Sequence, residues 1–213
     1  MKANRKKALE LYKEAKSLYE RGQNVASYDL CNQIINTDPS FWKGYNLKGN
    51  CQAKLKHYEV AFDLFTQALK LAPVKDKWIP LTGLGSVSHS LGKYVEALKY
   101  LKEALIIRPD NPNLLYGIGS ALWYINGGMN QEIIEYWTKA TELNPKYLEN
   151  VFVSGALPLL VKEKILEREK IKKQRKEKAQ NSNPFPLLLA MGAGLLLVKG
   201  KTNSIVSRKH QYD

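Results

Sequence analysis

The chain has 213 residues, 44% of them hydrophobic and 25% charged, which is enough apolar material to build a core and argues against a disordered chain. Its formal net charge of +13 suggests nucleic acid at first sight, but the surplus sits at the ends: residues 1–7 carry +4, residues 162–180 carry +5 and residues 199–213 carry +3, so the body is nearly neutral. The two cysteines, Cys31 and Cys51, follow no disulfide pattern, and no apolar run stands behind the first lysines, so core thiols in a reducing, cytoplasmic setting are expected rather than a secreted, disulfide-held protein.

Taken in chain order, apolar residues recur at three- and four-residue spacing and predict helices at about 4–20, 24–37, 41–54, 58–71, 77–91, 94–107, 112–125 and 130–143. These helices come in pairs, and the pairs repeat. Gly49 recurs as Gly85, Tyr58 as Tyr94, Ala61 as Ala97, Ala68 as Ala104 and Pro73 as Pro109, each step being 36 residues. Upstream, Ala15 and Pro39 lie 34 residues before Gly49 and Pro73. Downstream, Gly119 lies 34 residues after Gly85, while Ala140 and Pro145 lie 36 after Ala104 and Pro109. Four copies result, at about 5–39, 40–73, 74–109 and 110–145.

The repeated residues have physical roles. Gly inside a helix costs about 1 kcal/mol relative to Ala, so Gly49, Gly85 and Gly119 are expected to let two helices approach closely, with Phe65, Leu101 and Trp137 as bulky counterparts. Gly22, Lys56 and Gly92 share the position that breaks the pair. The prolines follow the second helix, which they prevent from continuing. One such pair cannot bury its apolar face alone, so the copies must stack.

Beyond Pro145, residues 146–161 are largely apolar and are expected to form a capping helix, broken or kinked at Pro158. A basic helix and hinge follow at 162–183, with NSNP at 181–184 as the stop. Residues 187–198 carry no charge. Twelve helical residues span about 18 Å, short of the roughly 30 Å bilayer core. Basic residues before an apolar run are nevertheless the arrangement that contacts an anionic membrane surface. The contact residues expected are Lys162, Lys164, Arg168, Lys170, Lys172, Lys173, Arg175, Lys176 and Lys178, followed by Leu187, Leu188, Leu189, Leu195, Leu196 and Leu197. Nucleic acid is the alternative partner of this helix, disfavoured because no aromatic residue is interleaved for stacking.

The small residue, the Tyr-x-x-Ala pattern (Tyr58 to Ala61, Tyr94 to Ala97), the second alanine and the closing proline resemble the tetratricopeptide repeat family over residues 5–145. The resemblance implies an all-α, right-handed superhelix of four helix-turn-helix repeats, followed by the capping helix, the basic helix and the apolar segment. It also implies that the first helix of each pair lines the hollow. There it places Tyr12, Lys16 and Tyr19, then Lys43, Asn46 and Asn50, then Thr82, Ser86 and His89, and lastly Tyr116, Ser120 and Trp123. Asn is a poor mid-helix residue but offers both a donor and an acceptor to an extended backbone, and Tyr and Trp supply contact area of the hot-spot kind. Some family members clamp acidic chaperone peptides. Of that clamp only Asn50 keeps the pattern, with Leu47, Ile79 and Gly83 at neighbouring positions, so this ligand is not expected.

The search for chemistry is negative. His57, His89 and His210 are far apart, no cluster has metal-ligand spacing, and Gly83-Leu84-Gly85 lacks the strand of a phosphate loop. The reading is a protein-binding adaptor holding a peptide or helix in its groove, with no enzyme activity, cofactor or small-molecule substrate, and with a membrane-tethering tail.

Overall fold

The computed structural model describes residues 2–148 and 156–181. Helices α1 (Lys2–Glu20) and α2 (Asn24–Thr37) form the first pair, α3 (Trp42–Lys54) and α4 (Tyr58–Leu71) the second. The third pair is α5 (Trp78–Ser90) and α6 (Tyr94–Ile107), and the fourth α7 (Pro112–Asn126) and α8 (Gln131–Leu143). The described residues contain no strand. Each helix packs on its partner, each second helix on the next first helix, and the first helices α1, α3, α5 and α7 lie side by side. The result is a superhelix of stacked hairpins with the first helices along one face.

The turns inside the pairs follow from backbone geometry. Gly22, Lys56 and Gly92 take φ of 77°, 64° and 74°, the left-handed conformation that reverses the chain between helices. All four second helices end alike. The C-cap amides of Asp38, Ala72, Arg108 and Asn144 donate to the carbonyls of Ile34, Ala68, Ala104 and Ala140. A proline follows each cap.

The stacking is set by glycines facing large side chains. A Cβ on Gly49 would sit 2.9 Å from the Phe65 ring, and one on Gly83 would sit 2.6 Å from the same ring. Leu101 likewise stands against Gly85, where a Cβ would approach to 2.6 Å, and against Gly117 at 3.1 Å. One bulky residue of a second helix therefore presses on the first helix of its own pair and on that of the next. Gly83 and Gly85 are two halves of this packing joint. Around it lies a core of Ala61, Phe65, Leu84 and Val87, with Ala97 and Ala104 fully buried.

After α8 comes a 3-10 turn, Pro145–Leu148, and then α9, Ala156–Asn181. Residues 149–155 of the expected capping helix lie outside the described residues, and Pro158 stands in the first turn of α9, where the helix has no use for its missing N–H. No helix boundary separates residues 156–161 from the basic residues that follow. The chain divides into two compact units, Met1–Lys162 and Glu163–Asp213.

Candidate functional site

Every residue expected in the groove lies on α1, α3, α5 or α7, but their states differ. On α1, Tyr12 and Tyr19 are half-buried and pack on a cluster of Ala8, Ala15, Cys31, Ile34, Phe41 and Leu47. Tyr12 meets Phe41 edge-on at 5.6 Å. Burial pushes both phenols above their ordinary pKa, so they are neutral hydrogen-bonding groups. Lys16 is exposed and reaches Glu20 at 3.4 Å, an ion pair of little energetic value in water.

On α3, Lys43 lies 5.6 Å from the centre of the Trp42 ring. Asn46 and Asn50 are half-buried beside it. The Oδ1 atom of Asn46 is buried and has no hydrogen-bond partner. On α5 the Thr82 hydroxyl donates to the Trp78 carbonyl at 2.6 Å, so Thr82 is turned inward to its own helix, while Ser86 is exposed. His89 Nε2 is also buried without a partner. The His89 ring stands edge-on to Tyr94 at 5.1 Å and Tyr124 at 5.2 Å, and those two tyrosines stack at 4.4 Å. Burial among them lowers the His89 pKa, so the imidazole is neutral.

Around α7 the aromatic residues are engaged with their own chain. Tyr116 and Trp123 stack on Trp137 at 6.0 and 6.1 Å. The Trp137 indole fills the space over Gly119 and donates Nε1–H to the Tyr116 carbonyl at 3.1 Å. Ser120 also donates to that carbonyl, at 3.0 Å. From the 3-10 turn, Tyr147 packs on Tyr116 at 4.9 Å, and its hydroxyl donates to Asn113 Oδ1. The fourth pair is therefore partly covered in cis, while α3 and α5 keep unsatisfied polar atoms. The family resemblance places Trp123 inward but does not find Tyr94, Tyr124 or Tyr147. Only Tyr94 carried a signal, as a repeat position, and that signal marked packing.

Among the described residues no group of three His, Cys, Asp or Glu side chains could hold a metal ion. Cys31 and Cys51 are free and fully buried. The Cys51 thiol donates to Ser27 Oγ at 3.4 Å, and Ser27 donates to the Ala15 carbonyl at 2.8 Å. A hydrogen bond shared with Cys51, together with burial, pushes Cys31 up, so it stays a thiol.

In the second unit, Lys164 and Arg168 are half-buried, and Lys170, Lys172, Lys173, Arg175, Lys176 and Lys178 are exposed. The side chain of Lys162 and the leucines at 187–189 and 195–197 lie outside the described residues. No described helix is long and apolar enough to cross a membrane.

Against known proteins, the family described as "TPR repeat" matches residues 85–126, and that described as "Tetratricopeptide repeat" matches residues 43–75. The chain is 24% identical over 143 residues to the BBSome complex member BBS4 of Bos taurus, covering 67% of this chain and only 27% of that protein. Its fold is similar to YrrB, whose structure is described as a TPR protein with an unusual peptide-binding site, at a TM-score of 0.54 and 23% identity over 67% of this chain and 71% of YrrB. It is similar as well to the first TPR of Spaghetti (RPAP3) bound to an HSP90 peptide, at a TM-score of 0.54 and 19% identity over 57% of this chain and 94% of that one.

Proposed function

The chain is a tetratricopeptide-repeat protein, and from that premise we propose that it is a non-catalytic adaptor holding an extended peptide or helix of a protein partner against α3 and α5. One observation carries the reading. Asn46 Oδ1 is buried and unpartnered on the face built from the first helices. A buried acceptor without a donor costs about 1–3 kcal/mol, and turning the partly exposed Asn46 amide outward onto a peptide N–H laid along the face would remove that cost. Asn50, one turn further, offers the donor and acceptor that the next peptide unit requires. YrrB is described as having a peptide-binding site and the Spaghetti repeat as bound to an HSP90 peptide, and both are structurally similar, which supports a peptide partner here.

Affinity purification followed by mass spectrometry tests this. The wild-type chain should capture a defined set of proteins that the Asn46→Ala, Asn50→Ala double variant loses, at unchanged helical circular dichroism. Capture that survives the double substitution excludes this face.

A tether through α9 completes the proposal. Every side chain from 169 to 179 is exposed, and Leu166 and Ile171 are 48% and 42% exposed, so the helix offers cations with apolar residues between them. Flotation with phosphatidylserine vesicles should carry the full chain and lose it when Lys172, Lys173, Arg175 and Lys176 become Gln. Binding to DNA or RNA that falls steeply with salt, without flotation, would favour nucleic acid instead.

A further inference from the structure

A cleft of about 520 Å³ opens where the third and fourth pairs meet, away from the asparagines of α3. Its wall combines Trp78 at the start of α5 with Arg108, Asp110 and Asn111 of the connector between α6 and α7 and with Asn113 in the first turn of α7. The Arg108 guanidinium stands 5.4 Å from the centre of the Trp78 ring. Arg108 is exposed and joins no ion pair among the described residues. The Trp78 indole Nε1 is buried and has no acceptor. The cleft thus carries a full positive charge that no carboxylate among the described residues neutralises.

The side-chain acceptors of the cleft are already engaged. Asp110 pairs with Lys139 at 3.3 Å. The Asn111 side chain accepts from the Asn113 amide at 3.0 Å, and Asn113 Oδ1 accepts from the Tyr147 hydroxyl. What is left is one cation and a few neutral N–H donors. That set matches a single negative charge. A phosphate dianion would bring a second charge with nothing to meet it and Asp110 close by.

We propose that the cleft is a carboxylate-binding subsite, in which the Arg108 fork takes both oxygens of a carboxylate and the Trp78 ring holds the guanidinium in plane. A planar guanidinium on an aromatic face is pre-organised for bidentate capture, which Lys would not achieve. The carboxylate belongs to the same partner that lies along α3 and α5, an acidic side chain or a chain terminus, and in this the inference rests on the adaptor reading. It adds that the partner carries an acidic group near the end that reaches the third and fourth pairs.

The test needs no partner. The indole resonances of the ¹⁵N-labelled full chain are followed during titration with N-acetylglycine, with the uncharged N-acetylglycinamide, and with inorganic phosphate at matched ionic strength. Trp78→Phe assigns its resonance. The expected result is a saturable shift of Trp78 with N-acetylglycine and none with the amide, weakened about ten-fold or more by Arg108→Gln, the loss of a bidentate charged contact. Arg108→Lys should restore little of it. Equal shifts with the amide, or unaltered binding in Arg108→Gln, overturn the subsite. A tighter response to phosphate overturns the carboxylate assignment. Neither failure touches capture through Asn46 and Asn50, which is read separately.

Discussion

Single positions show where sequence and backbone disagree. Lys56 takes a left-handed φ of 64° at the turn where Gly22 and Gly92 stand in the other copies. A side chain there costs about 1–2 kcal/mol. Lys56→Gly is therefore expected to raise stability by about 1 kcal/mol, and Gly92→Ala to lower it by a similar amount, both read from urea unfolding midpoints. No atom lies within 4 Å of a Cβ built on Gly92, so the effect is one of backbone conformation and not of crowding. The alignment of Gly22, Lys56 and Gly92 is legible in the sequence, whereas the strain at Lys56 is visible only in φ. His89 belongs to the same scale. Burial lowers its pKa from 6.5, so the folded chain disfavours the imidazolium. Its contribution to stability is complete above the unfolded pKa and is lost as pH falls through the lower folded value. Urea unfolding between pH 7.5 and pH 5 should show a decline that His89→Gln reduces.

At the scale of the helix pair, the energy lies in the joints between glycine and bulky residue. Gly119 has the Trp137 indole where a Cβ would be. Gly119→Ala gains helix propensity of about 1 kcal/mol but forces the indole off the Tyr116 carbonyl, and overpacking of this sort costs about 1–3 kcal/mol. Net destabilisation is expected, with a red shift in tryptophan emission as the indole is displaced. Gly49, Gly85 and Gly119 could be read from the sequence because they repeat within each pair. Gly83 and Gly117 recur at the same 34-residue step as Gly85 and Gly119, but their role could not be read, because they face Phe65 and Leu101 of the preceding pair, and a pattern search compares copies without knowing which surfaces touch. Ser27 is a departure at a position where the second and third copies have Ala, and the structure accounts for it. The residue stays small, and its hydroxyl lies between the Ala15 carbonyl and the Cys51 thiol.

For the whole array, each pair touches mainly its neighbours, so stability should propagate along the chain rather than be shared. Leu101→Ala removes the side chain that joins α6 to both α5 and α7, at a cost of about 2–5 kcal/mol. Hydrogen exchange should then show α7 and α8 losing protection well before α1 and α2, and uniform loss would contradict a nearest-neighbour array. Pairing of helices, their order and the small-against-large positions were determined by the sequence alone, because a repeat period and a helical period are local properties of a string. The availability of the inner face was decided only by tertiary structure. Whether Asn46 lacks a partner, whether Trp137 and Tyr147 occupy the aromatic surface of the fourth pair, and whether Arg108 finds Trp78 all depend on which side chains arrive from elsewhere in the chain, and no periodicity records that.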